Sequence, residues 1–270
     1  MLKRIDYHID QLRPYINWLY FFHAWGLSGK PQAEKDRMRH DADAMLDTFA
    51  ARYRVHTVFG LFDANSDGDD ILIGGIRLPM LRQQHPTRPG EPNLCLADYV
   101  RPAASGIKDR LGAFAATVDS AMEHDFLGDD FKRMLSQTLA DRLAEAAVER
   151  MHAEVRRTYW GYAPDEHLTI AELLREDYQG IRPAVGYPSM PDTSMNFLLD
   201  RLIDMKQIGI RLTESGAMKP HASVSGLMFA HPKARYFDLG KIGDDQLRDY
   251  ARRRHIPLEL ARRFLASRLR

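Results

Sequence analysis

The sequence predicts an α/β fold of the α+β kind, a mixed or antiparallel sheet flanked by helices. Three observations lead there. Strand-like and helix-like stretches intermix without the regular rhythm of a doubly wound parallel sheet. One long stretch, 131–157, carries Leu135, Leu139, Leu143, Ala147, Met151 and Val155 at helical spacing with charges between them. Of 270 residues, 44% are hydrophobic and 28% charged, the balance of a globular chain able to bury one large core or two small ones.

The elements follow in chain order. Charged Lys3, Arg4 and Asp6 lead into mixed polar sequence, so no secretory leader is expected. The aromatic run "YINWLYFFHAWGL" (15–27) falls short of the about 20 apolar residues that span a bilayer and reads as a buried helix. A charged helix over 33–53 places Ala42, Met45, Leu46 and Phe49 on one face. "VHTVFGLF" and "DILIGGIRL" read as strands joined by the turn "DANSDGD". Residues 81–93, polar and proline-rich, read as an exposed loop, and "LCLADYV" and "LGAFAATV" as further strands. The 131–157 helix, if continuous, runs about 40 Å. Thr169 is suited to cap a shorter helix over 169–178, and another covers 194–206. "GIRLTESGAM", "ASVSGLMFA" and "RYFDLGKI" read as strand-like segments. The basic amphipathic stretches "DDQLRDYARRR" and "PLELARRFLASRLR" close the chain as helices.

Composition and motifs exclude several functions. A net charge of +1 gives no nucleic-acid footprint. The single cysteine, Cys95, allows no internal disulfide and argues for a reducing compartment, so a cytoplasmic protein without a zinc site is expected. "DANSDGDD" (63–70) begins like a calcium loop, but Gly74 stands where the bidentate Glu belongs, and a tight turn is the better reading. No dinucleotide fingerprint, phosphate loop or nucleophile elbow is present, and the serines of "SVSG" (223–226) read as strand residues. "DEH" (165–167) starts like a cobalamin-ligating motif, but Ile170 replaces its glycine, so the chain is not expected to carry its own cobalamin.

The segment "GIRPAVGYPSMPDTSMN" (180–196) holds more conformational restraint than a connector needs. Pro183, Pro188 and Pro191 fix φ, while Gly180 and Gly186 permit turns and close approach. Arg182 offers a planar fork suited to a carboxylate, and Tyr187 a ring and a hydroxyl. Residue chemistry alone leaves two readings open. One is a rigid loop gripping a small ligand with an acid and an aromatic or sulfonium part; the other is a structural loop with Arg182 paired to Glu176.

The stretch "YWGYAPDEHLTIAELLREDYQGIRPAVGYPSMPD" (159–192) closely resembles the S-adenosylmethionine-binding activation domain of cobalamin-dependent methionine synthase, as do "LTESGAMKPHASVSG" (212–226), "HPKARYF" (231–237) and "DQLRDYARRR" (245–254). Weaker matches run through 16–30, 60–71, 94–100 and 139–146, so the resemblance covers nearly the whole chain. It implies a single domain over 1–270 with a twisted antiparallel sheet and surrounding helices. It also implies a repair function: an electron from flavodoxin and a methyl group from S-adenosylmethionine restore methylcobalamin after the cobalt has oxidised. The family's carboxylate-holding arginine falls on Arg182. Its other ligand-binding positions fall on Asn17, Ala184, Gly186, Tyr187, Tyr236 and Phe237, and its two acids on Glu145 and Glu176. The implied mechanism is attack of reduced cobalt on the sulfonium methyl, which needs orientation rather than an acid or base.

Some positions depart from the pattern. Asn17 stands where the family has an aspartate meeting the ligand's ammonium group. After "GYP", the family's cysteine, acid–histidine pair and lysine become Met190, Asp192–Thr193 and Asn196. Read from Met1, the chain is expected to stand without the homocysteine, folate and cobalamin modules that precede this domain in the family. Three functions are therefore carried forward. The first is a free-standing subunit acting in trans on a cobalamin-binding methionine synthase core, with cobalamin met only through that partner. The second is a stand-alone enzyme that methylates a small molecule, or cyclises or cleaves the aminocarboxypropyl arm, with Glu145, Glu176 or Tyr187 as catalytic base. The third is a ligand-binding protein without turnover.

Overall fold

A computed structural model describes residues 1–269. Its centre is a six-stranded antiparallel sheet. β1 (Leu2–His8) pairs with the first half of β2 (Arg54–Asp67), Leu2 opposite Gly60 and His8 opposite Arg54. β3 (Asp70–Ile73) continues along the same edge of β2, Asp67 opposite Asp70, and β4 (Ile76–Pro79) pairs with β3. On the other edge of β2 lies β5 (Asp109–Val118), with Phe59 opposite Phe114. A separate two-residue pairing joins β6 (Arg211–Leu212) to β7 (Met218–Lys219), and β8 (Ser223–Met228) completes the main sheet beside β5.

Alternation along β2 and β5 sorts side chains onto two buried faces. Val55, Phe59, Leu61, Phe114, Ala116 and Val118 meet the long helix Asp130–Glu154 and the helix Gln32–Arg52. Val58, Ala64, Leu111, Ala113 and Ala115 meet the helix Met195–Ile203. Both faces are apolar, so β2 and β5 read as nearly continuous hydrophobic runs. A third, smaller cluster packs the C-terminal helices Asp244–Arg254 and Leu258–Phe264 through Leu247, Tyr250, Ala251, Ala261 and Leu265.

The long helix, the helix 32–52 and the two C-terminal helices stand where the spacing places them. Of "DANSDGDD", Asp63–Asp67 extend β2 and Asp70 opens β3, so the turn is only Gly68–Asp69, with Gly68 at φ +60°. Elsewhere local chemistry overrides the sequence reading. "LCLADYV" is a 3₁₀ turn over Leu96–Tyr99 rather than a strand: Asp98 Oδ2 accepts from the Cys95 N–H at 2.8 Å, and that side-chain bond replaces a ladder. The helix after Thr169 does form the expected cap, with Glu172 completing a capping box. It ends at Leu174, however, because Glu176 takes φ +63°. The aromatic run yields only a seven-residue helix, Trp18–Ala24, in which Phe21 is buried but Leu19 and Tyr20 are exposed. The helix expected over 194–206 is Met195–Ile203, stopped by Asp204 at φ +47°. "RYFDLGKI" is irregular and "GIRLTESGAM" contributes only β6 and, at Met218, the start of β7, while β1 lies in sequence that carried no strand expectation. Among the described residues no helix is long and apolar enough to cross a membrane, and no group of three His, Cys, Asp or Glu side chains is placed to hold a metal ion.

Candidate functional site

The proline-rich segment is held against the outer edge of β8. Ile181 and Phe229 exchange both backbone bonds, at 3.0 and 2.9 Å, Leu227 N–H donates to the Pro183 carbonyl at 3.1 Å, and Val185 N–H to Ser225 at 2.9 Å. Residues 181–185 thus act as an irregular edge strand, where Pro183 lacks only a donor that the edge can spare. The approach needs glycine on both sides. A Cβ at Gly226 would sit 2.3 Å from the Pro183 carbonyl oxygen, and one at Gly180, φ +87°, 2.2 Å from that of Phe229. Alternation turns Ile181 and Val185 toward the core under the helix Met195–Ile203, and Arg182 and Ala184 toward the long helix. A turn follows, closed by Met190 N–H to the Tyr187 carbonyl at 2.9 Å with Pro188 at its second position.

Facing Arg182, the long helix carries Glu145, Glu149 and His152 at i, i+4 and i+7, one stripe of a 3.6-residue period, which Arg156 continues into the π-turn Val155–Tyr159. Arg182 does not pair with Glu176. Its Nη2 lies 2.5 Å from Glu149 Oε2 and its Nη1 3.4 Å from Oε1, with Nη1 also donating to the Tyr178 hydroxyl. Burial alone would lower the guanidinium's pKa, but Tyr178 and Glu149 outweigh it and the group stays charged. Burial is the largest influence on Glu149 and raises its pKa, opposed by Arg182 and Arg156. Behind this pair, Arg156 is clamped by Glu166 at 2.6 and 2.8 Å and lies over the Tyr178 ring at 4.0 Å. Arg156 Nη1 donates to His152 Nδ1 at 2.8 Å. Fully buried, His152 is held neutral, first by burial and then by the two guanidiniums.

Above the stripe runs a groove with two lobes of about 490 and 550 Å³ that share Glu145, Glu176, Arg182 and Tyr187. Ala184, Tyr236 and Phe237 line one lobe and Asn17 the other. Gly186 sits at φ +89° at the base of the turn, its N–H bonded to the Met190 carbonyl at 2.8 Å. The residues singled out in the sequence therefore come together around one groove. Tyr236 OH accepts the Arg182 backbone N–H at 3.0 Å, which fixes the start of the segment from the ligand side. Tyr187 OH is 3.4 Å from Glu145 Oε1, and that charge, with burial second, raises the phenol's pKa. Tyr187 is a donor here and is ill suited to act as a base. Asn17 Oδ1 caps the helix Trp18–Ala24, accepting from Leu19 N–H at 3.1 Å and Tyr20 N–H at 3.4 Å.

The altered positions after "GYP" lie largely off the groove. Met190, Asp192 and Asn196 are buried. Asp192 accepts from Tyr250 OH at 2.6 Å and from Ser194 N–H at 2.8 Å. Asn196 joins Gly216 to Ser225, at 2.8 and 2.5 Å, while Thr193 Oγ1 donates to the Ser215 carbonyl at 2.9 Å. These side chains brace the loop from behind and line neither lobe of the groove.

A family model described as vitamin B12 dependent methionine synthase, activation domain, matches residues 8–255. The chain belongs to this family. A solved structure described as the MetH reactivation domain bound to AdoHcy (S-adenosylhomocysteine) is 40% identical, with a TM-score of 0.94 over 100% of this chain and 90% of that chain. The twisted antiparallel sheet with flanking helices is the fold of that activation domain. What the sequence reading of this family member missed is the stripe behind Arg182. Glu149, His152 and Arg156 recur with Glu145 at helical period, a polar seam on a helix whose apolar positions alone had been followed.

Proposed function

We propose that the chain binds S-adenosylmethionine in this groove and presents its methyl group to a cobalamin held by a methionine synthase core, in trans, with flavodoxin as electron donor. The observation that carries the reading is the Arg182 guanidinium, fixed by Glu149 and Tyr178 where the two lobes meet, with the carboxylates Glu145 and Glu176 lining both lobes. The groove suits such a ligand. Arg182 answers a carboxylate, Glu145 and Glu176 answer an ammonium and a sulfonium, and the rings of Tyr187 and Tyr236 offer π-faces to cationic and aromatic parts. Ala184 and Gly186 keep the segment's own side chains small. Bound S-adenosylmethionine supplies an already activated methyl electrophile. The protein's own contribution is to hold the ligand's arm and sulfonium in one orientation, which alone is worth several orders of magnitude in rate. No base is required, consistent with a Tyr187 phenol kept protonated by Glu145.

The test is product analysis. The purified protein is incubated with S-adenosylmethionine, with and without a reduced cobalamin-loaded methionine synthase core, and products are identified by mass spectrometry. S-adenosylhomocysteine formed only with the core is expected. Turnover without cobalamin, or release of methylthioadenosine, contradicts the reading and favours arm chemistry or a small-molecule acceptor.

A further inference from the structure

We propose that Glu149 and Tyr178 are positioning residues. They occupy the Nη1–Nη2 end of the Arg182 guanidinium and so present its Nε–Nη2 edge to the carboxylate of the bound ligand. The inference rests on the reading that the groove takes S-adenosylmethionine and deepens it by naming what aims the arginine.

A guanidinium has five N–H donors in one plane. Glu149 takes one hydrogen from each terminal nitrogen, and Tyr178 OH and His152 Nδ1, 3.4 Å away, crowd the outer side of Nη1. Among the described residues nothing accepts from Nε, and Glu149 is the sole acceptor at Nη2. The uncommitted pair is therefore the Nε–Nη2 edge, a fork that matches a carboxylate. The clamp is itself fixed. Glu149 stands on the long helix with its side chain 6% exposed, and Tyr178 is pressed against the Arg156 guanidinium, which Glu166 locks. A ligand carboxylate that displaced Glu149 would leave a buried, unpaired charge, so the ligand and Glu149 occupy different edges rather than compete for one. Arg182 then arrives preorganised and loses little side-chain freedom on binding.

The test compares two probes by calorimetry, with the weaker measured in competition. S-adenosylhomocysteine carries the carboxylate; 5′-methylthioadenosine keeps the adenosine and thioether but lacks it. Glu149→Gln and Tyr178→Phe are each expected to weaken S-adenosylhomocysteine by about tenfold while leaving methylthioadenosine within about twofold of the parent. In an Arg182→Lys background, Glu149→Gln should add little further loss. Equal losses for both probes, no loss for either, or tighter S-adenosylhomocysteine binding by Glu149→Gln each overturn the proposal, the last by showing competition. If Glu149→Gln does not fold, Tyr178→Phe decides by the same split. A parent that binds no S-adenosylhomocysteine, or is indifferent to Arg182→Lys, overturns the binding reading and this proposal together. Sensitivity to Arg182 without sensitivity to Glu149 or Tyr178 overturns this proposal alone.

Discussion

Asn17 caps a helix and lines the groove with the same side chain. Aspartate would cap equally well, and under the proposed function it would also place a charge beside the ligand's ammonium group. A charge-assisted hydrogen bond exceeds a neutral one by about 1 kcal/mol. Asn17→Asp is therefore expected to tighten S-adenosylhomocysteine about fivefold in a calorimetric titration, with no fall in melting temperature. Unchanged affinity would mean that the arm's nitrogen lies elsewhere. The resemblance placed Asn17 at the ligand site, and the fold has it line one lobe with Glu145 and Glu176; the cap was not read from the sequence and is seen only in the fold.

The segment 180–196 is built as an edge strand, a turn and a buried brace, and each part has a distinct cause. Proline and glycine positions could be read from the sequence because their backbone limits are local. The pairing with β8 could not, since it depends on Gly226 and Phe229, far along the chain. For the same reason the pairing of "RYFDLGKI" was misread: its apolar residues serve long-range packing, with Leu239 N–H donating to the Pro188 carbonyl at 3.2 Å, rather than a ladder. Asp192 shows how the brace works, joining the loop to the helix Asp244–Arg254 through Tyr250 OH. Tyr250→Phe leaves that buried carboxylate short of a donor, and a loss of about 1–3 kcal/mol is expected in denaturant unfolding. A loss under about 0.5 kcal/mol would show that the brace is not what holds the loop.

Across the whole molecule, the buried stripe links folding to pH. His152 is neutral when folded, its pKa lowered first by burial and then by Arg156 and Arg182. In the unfolded chain it protonates near the ordinary histidine value of about 6.5. Below that pH the unfolded state binds the extra proton, so stability falls as pH drops, by up to about 1.4 kcal/mol per unit from this group. His152→Asn keeps an acceptor and cannot titrate, so the stability advantage of the parent over the variant should shrink between pH 7.5 and 5.5. A difference independent of pH would assign the ring another state. The long helix that carries this stripe was the most legible element in the chain because its apolar period is unbroken, yet its polar face gains meaning only when Arg182 reaches it from the edge segment beside β8. That arrival is also what the functional account depends on. The most direct test is titration calorimetry of S-adenosylhomocysteine into the parent protein and Arg182→Lys, which keeps the charge and removes the fork. The account predicts one-to-one binding to the parent, weakened by about 1.5–3 kcal/mol in the variant; equal binding by the two proteins, or no heat with the parent, would contradict it.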